Sequence, residues 1–407
     1  MSEHRYASLD GLRGVAALTV VGYHGLLILP AISALYIAHT NPAVGSPAWW
    51  LYATPLRLLF AGHEAVLVFF VLSGFVLTLP FLRHAPTGRS VAAYYPRRII
   101  RLYVPVWGAL VFALILALIV VRNPNVGSTW LQTHHTPTVS SFGRDLVLIL
   151  TTSNLDSPLW SLTWEVWYSL FIPVMFIILR WLRVERWWIP AGLLMIAVSV
   201  TARFPAVVHA LPAAWLTAGL LQYLPVFVIG MLLAQQRHRF HLSAWWLAPA
   251  LLAIVTPTVI APNGIYGIQQ AAAYALSLLG VATVVTLAFA SAPVEHVLES
   301  RFTQWAGKRS FSLYLTHEPI IVAAALATRL DNWWWLAVLA VLIPVILAAA
   351  EGFYRVVEAP SIRLSRHVGQ MVMNAEKSPS HRPRAVRGGQ ISEVEPGDAP
   401  TPSDPSL

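Results

Sequence analysis

Cysteine is absent from this 407-residue chain, which excludes disulfides, thiol nucleophiles and thiolate-held metals. Charge is scarce as well. Asp, Glu, Lys and Arg together make up 11% of the residues, where a soluble domain carries about a quarter. No Gly-rich phosphate loop follows a strand pattern, and no nucleophile elbow is present. The His residues do not stand at metal-ligand spacing with carboxylates, so no metal is expected. The chain also lacks the internal repeat found in many transporters. Its formal charge of +9 could suggest nucleic acid. The basic residues instead fall in short loops between apolar runs, where membrane topology accounts for them.

What the chain has in quantity is apolar surface, at 57% hydrophobic residues. Ten stretches are long enough to cross a hydrocarbon core that needs roughly 20 helical residues. They lie near 15–37, 56–79, 104–121, 158–179, 187–202, 214–234, 244–261, 270–291, 310–328 and 333–354. The fifth is short, and a run from Asp145 to Thr152 is placed to dip into the interface before the fourth. With the N-terminus in the cytoplasm, fifteen Arg and Lys residues fall inside and five outside, the tail excluded. The expected fold is an all-α polytopic bundle of about ten transmembrane helices, both termini cytoplasmic, in the inner membrane of a bacterium. The first run is too long for a cleaved leader and reads as an uncleaved helix. Residues 1–366 form the membrane domain. After Arg366, Ser, Pro, Gly and charged residues dominate, so 367–407 is expected to be a disordered cytoplasmic tail.

Ionisable groups inside a bilayer cost several kcal/mol unless partnered or hydrated. His24, Glu64, Glu165 and His317 are therefore candidates. In "LDGLRGVAALTVVGYH", Arg13 and His24 are eleven positions apart, which at ~100° per residue is about three turns and roughly 16 Å on one face. A guanidinium at the membrane boundary suits a phosphate. An imidazole deeper in suits proton transfer. Acyl-CoA, phosphates at one end and thioester at the other, has the shape to span them. The same spacing also fits a topological Arg and a core His bonded to a neighbouring helix.

Further segments place the chain by resemblance. "LDGLRGVAALTVVGYH", with its Arg, ten residues and His, resembles the opening motif of the acyltransferase-3 family of membrane O-acyltransferases. "VLVFFVLSGFVLT" is similar to that family's second-helix signature, "PRRIIRLYVP" to its Arg-x-x-Arg motif and "SPLWSLTWEVWYSLFIPV" to its Trp-Ser-Leu-x-x-Glu segment. "FVIGMLLA", "GKRSFSLYLTHEPI" and "VVEAP" follow in the family's order. The resemblance covers about residues 5–365 and implies His24 as general base and Arg13 as a contact to the donor phosphates. Arg98 and Arg101 would add anion contacts, though a plain topology anchor fits them equally.

Glu165 could orient an imidazole, bind a sugar hydroxyl or pair with an Arg, and it stands as a catalytic candidate. Tyr168, Tyr314, His317 and Glu64 stand as substrate contacts. Thr316 before His317 and Glu318 after it depart from the family pattern, which puts the acceptor pocket in question. Ser73 and Gly74 read as a helix-packing site, with a contact role for Ser73 as the alternative.

The expected activity is transfer of an acyl group, acetyl foremost, from acyl-CoA to a hydroxyl of a carbohydrate such as a cell-envelope or exported polysaccharide. A macrolide or a lipid is an alternative acceptor, and a covalent acyl-enzyme is an alternative route. A proton-coupled transporter using His24, Glu165 and His317 is the alternative from another class.

Overall fold

The computed structural model describes residues 6–375 apart from 38–39, 85, 124, 126 and 261–265, and among them every regular element is helical. In chain order these are α1 (Ala7–Leu26), α2 (Pro30–Ile37), α3 (Pro47–Tyr52), α4 (Gly62–Arg83), α5 (Gly88–Ile119), α6 (Thr129–Gln132), α7 (Val139–Val147), α8 (Leu159–Trp181) and α9 (Trp188–Thr201). They continue as α10 (Pro205–Ala210), α11 (Ala214–Gln236), α12 (Leu247–Ile260), α13 (Ile268–Ala290), α14 (Ala292–Leu298), α15 (Arg301–Lys308), α16 (Ser310–Thr328), α17 (Trp335–Phe353) and α18 (Ala359–Ala375). Short 3₁₀ turns join some of them, and a π turn at Tyr354–Glu358 links α17 to α18.

Seven helices among the described residues are long and apolar enough to span a membrane, and an eighth counts if α1 and α2 form one span. The expected fifth and seventh spans are present as shorter apolar helices, Trp188–Thr201 and Ala244–Val255. The expected continuous first span is not. Its helix stops at Leu26, and α2 departs at 108° after a break ending at Pro30, which has no N–H to donate. The break is tolerable because it is buried in protein and its freed carbonyls are met. Trp335 Nε1 donates to the Gly25 carbonyl at 2.7 Å, and Ser128 Oγ donates to that of Leu27 at 2.7 Å. Ser33 Oγ, bonded to Thr129 Oγ1 at 2.6 Å, also accepts from the Trp130 N–H at 2.8 Å. The elbow thus ties α2 to α6 and lays α6 across the inner end of α1.

The expected second span also starts later than its hydropathy suggests, because residues Pro55–Phe60 form a 3₁₀ turn. Asp145 is tied back to the loop that follows it. Helix α7 ends at Leu148 in the left-handed region (φ 53°), and Asp145 takes the Ser153 N–H at 2.6 Å and the Ser153 hydroxyl. Helix α18 runs past the expected domain end at Arg366 to Ala375. Residues 1–5 and 376–407, which carry the expected termini and most of the tail, lie outside the described residues. The start of α1 and α18 lie at one end of the bundle, since Arg13 and Arg366 line the same cavity there.

Helix packing in hydrocarbon gains little from hydrophobicity and relies on close backbone approach. Helices α4 and α11 achieve it reciprocally: a Cβ on Gly74 would collide with the Phe227 carbonyl, and one on Gly230 with the Val71 carbonyl. Gly74 therefore has the packing role expected of it. Gly74→Ala should destabilise the protein by about 1–3 kcal/mol, as overpacked cores do. Gly352→Ala, where nothing lies within 4 Å, should be neutral or slightly stabilising. Thermal unfolding of the two variants in lipid discs compares them directly.

Candidate functional site

Arg13 on α1, Arg98 and Arg101 on α5, and Glu165 on α8 open onto one cavity of about 610 Å³. Arg83, Lys308, Arg363 and Arg366 also line it, so seven cationic side chains face three acidic ones, Asp10, Glu165 and Glu358. Glu358 accepts from the Ser312 N–H at 3.1 Å and from its hydroxyl at 2.5 Å, capping the first turn of α16. The three arginines expected to hold a donor phosphate are thus gathered by one turn of α1 and one turn of α5.

Glu165 does not meet His24. It accepts from Arg98 Nη2 at 2.5 Å and from Ser73 Oγ at 3.1 Å, while Arg98 Nε donates to Ser169 Oγ at 2.8 Å. Of its three expected roles the pairing with an Arg is present, and Ser73 gains a polar contact beside its packing neighbour. A carboxylate already holding a guanidinium is a positioning group for the cationic wall.

His24 lies deeper, buried at the inner end of α1, and does not line that cavity. Its Nδ1 is 2.8 Å from His317 Nε2 on α16. His317 Nδ1 is 3.0 Å from the Leu313 carbonyl, which can only accept, so Nδ1 carries the proton and Nε2 is a lone pair. His24 must then donate from Nδ1. Its own Nε2 is left as the basic nitrogen. The rings lie 5.0 Å apart, and Trp130 stacks on His24 at 5.6 Å and 29°. His317, expected as an acceptor contact or a second proton path, is therefore a hydrogen-bond partner of His24. Between this pair and the cavity, one helical turn beyond Ser73 and Ser310, stand Phe69 and Tyr314 with ring centroids 5.8 Å apart.

Three other expected contacts are committed to the fold. Tyr314 bonds Ser161 Oγ at 2.7 Å and donates to the Pro158 carbonyl at 3.0 Å. Tyr168 is fully buried and stacks on Phe227 at 4.2 Å. Glu64 accepts from the buried Arg57 at 3.0 Å, and Arg57 also donates to the Tyr36 hydroxyl at 2.6 Å. Burial works against the Arg57 charge, but the Glu64 carboxylate together with Tyr36 and Tyr52 more than offsets it and holds the guanidinium pKa above its usual value. None of these side chains faces the cavity.

Two residues that the sequence reading left without a role complete the cluster. Glu318, adjacent to His317, accepts from the Ser157 N–H at 2.9 Å and pairs with His134 Nε2 at 2.7 Å. His134 Nδ1 is 3.0 Å from the Trp130 carbonyl, so α6 supplies the ring over His24 and the loop after it the partner of Glu318. Asp156, fully buried beside them, is raised well above the usual carboxyl range by burial and by the neighbouring Glu318 charge. A protonated Asp156 can then share its hydrogen with Glu318. Glu318 was detectable as a carboxylate inside an apolar span. His134, in a loop, carried no such signal. Among the described residues no group of three His, Asp or Glu side chains converges on a point that could hold a metal ion.

Residues 6–350 match the protein family described as "Acyltransferase domain". The chain is 28% identical over 357 residues to an acyltransferase, MdmB, of Streptomyces mycarofaciens, covering 78% of this chain and 79% of that protein. No solved structure matches.

The His134–Glu318 pair is removed from water, and breaking such a pair on one side leaves a buried charge. His134→Ala should lower stability by about 3–5 kcal/mol. The double variant His134→Ala/Glu318→Gln should recover a large part of that loss, and a double-mutant cycle on thermal unfolding reads the difference.

Proposed function

The chain belongs to the acyltransferase-3 family of membrane acyltransferases, and from that premise we propose that it moves an acyl group, acetyl by preference, from acyl-CoA to a carbohydrate hydroxyl. The observation that carries this reading is the hydrogen bond from His24 to His317, at the inner end of the same helix whose outer end presents Arg13 to the cationic cavity. The cavity's excess of guanidinium groups suits the phosphates of coenzyme A, which arginine grips in bidentate fashion. In the membrane orientation expected from the loop charges, this cavity opens to the cytoplasm, where acyl-CoA is made.

His24 Nε2 takes the proton of the acceptor hydroxyl as its oxygen attacks the thioester carbonyl. The tetrahedral adduct collapses with cleavage of the carbon–sulfur bond. The coenzyme A thiolate departs and recovers the proton from His24, leaving an ester. His317 keeps His24 in the tautomer that presents a basic Nε2, and its lone pair stabilises the imidazolium while the proton is held. A group that fixes the base in this way matters as much for orientation as for charge. Because the cavity ends one turn short of His24, the reading requires Phe69 and Tyr314 to part when the pantetheine arm enters.

His24→Ala should abolish transfer, by about 10²–10⁴-fold for loss of a general base, with membrane insertion unchanged. Arg13→Ala should leave kcat nearly intact and raise the donor KM about 10–100-fold, the loss expected for a hydrogen bond to a charged group. His317→Phe, which removes the lone pair facing His24, should lower kcat with little change in either KM. The chain's lack of cysteine makes a thiol-reactive dye a clean reporter of released coenzyme A. An unaltered donor KM in Arg13→Ala would remove the phosphate contact from the mechanism.

A further inference from the structure

At the end of the bundle opposite the cationic cavity lies a second cleft of about 590 Å³, between the first turns of α8 and α11 and the loop that precedes α8. The two spaces are nearly equal in volume and opposite in chemistry. Among the described residues no charged side chain lines the second. Its wall is a continuous aromatic surface. Trp164 contacts Tyr223 at 5.3 Å and Trp215 at 5.3 Å between ring centroids, and Trp160 meets Tyr223 at 5.5 Å. Gly219 on α11 allows this, because a Cβ there would strike the Trp164 indole.

Facing the rings are neutral hydrogen-bonding groups that the fold holds in place. Gln222 Nε2 donates to the Ala202 carbonyl at 3.0 Å, and Asn154 Nδ2 donates to that of Thr133 at 3.1 Å. Each amide nitrogen is thus anchored, and each side-chain oxygen is left as an acceptor in or beside the cleft. Hydroxyls of Thr151, Thr152 and Ser157 add neutral donors and acceptors. Ser157 matters twice. It lines the cleft, and its N–H is bonded to Glu318, the residue next to the partner of His24.

We propose that this cleft is the acceptor site and that it takes a neutral glycosyl ring, with the ring's C–H face on the tryptophans and its hydroxyls on Gln222 and Asn154. A pyranose has one apolar face and a polar edge, which is the pairing this cleft offers. An anionic acceptor finds no cation here, in contrast to the arginines opposite. An alkyl chain would leave the fixed amides unsatisfied. The outcome of sugar binding rests on the acyl-transfer reading above. The binding itself does not.

The test uses the full chain in lipid discs, free of sugar-headed detergent. A panel of neutral hexose mono-, di- and trisaccharides, and the same sugars as phosphates, is titrated calorimetrically alongside acetyl-CoA. A neutral member should bind, more tightly than its phosphate. Trp215→Ala, on a half-open ring, and Gln222→Ala should each weaken it tenfold or more and leave acetyl-CoA affinity within twofold. The site is overturned if no neutral sugar binds, if both variants bind it as the wild type does, or if brominated lipid quenches Trp215 and sugar does not relieve the quenching. Sugar binding that responds to both variants in a protein indifferent to acetyl-CoA upholds the site and removes the acyl-transfer reading.

Discussion

A charge in hydrocarbon is tolerated only when something meets it, and the interior of this bundle is arranged around that demand. Arg57 is met by Glu64, Arg98 by Glu165, Glu318 by His134, and Arg309 by Glu351. Each pair joins segments that are distant in sequence or differently oriented. The pairs therefore fix how the helices sit as well as neutralising their own charges. Buried pairs of this kind add little net stability compared with an apolar core, yet removing one partner is severe. They hold the register of helices that hydrophobic packing alone, in a lipid solvent, leaves loosely specified.

The buried contact between two imidazoles is not an ion pair, and it has chemical freedom that the pairs lack. His24 and His317 share a single hydrogen, and the Leu313 carbonyl decides which nitrogen keeps a lone pair. The broken first helix sets the surroundings of that contact. Because α1 stops at Leu26, the chain turns aside, and the loop around α6 can cover His24 with Trp130 and deliver His134 to Glu318. Had the first span been continuous, as its hydropathy implies, α2 would occupy that space. The break is stabilised by donors from two other segments, Ser128 and Trp335, so it is a feature of the tertiary fold and not of local sequence.

Two spaces of similar size and contrasting character flank this histidine pair. One is lined with guanidinium groups and the other with indoles and amides. On the function proposed above, the basic vestibule at one end and the neutral aromatic one at the other would bring two unlike substrates to His24 from opposite directions. Phe69 and Tyr314 stand between the histidine pair and the cationic cavity, and Ser157 and Glu318 link the pair to the aromatic cleft.

Much of this was legible in the residues. Long apolar runs with arginine-rich loops dictate membrane helices, because backbone groups in lipid must bond within their own segment and charged loops must stay in water. The eleven-residue interval from Arg13 to His24 fixes one helical face, and the order of the motifs points to the family. Pairing was not legible. Glu165 offered three partners and the fold chose Arg98. Glu64 and Tyr168 looked like open contacts and are bound to Arg57 and packed on Phe227. His134 lay in a loop and turned out to be the partner of a buried carboxylate. Local sequence sets which side chains enter the membrane and on which face of a helix. Which of them meet depends on how helices cross, and that is settled by small residues, broken turns and ion pairs whose members lie up to about 180 positions apart, where no local pattern reaches.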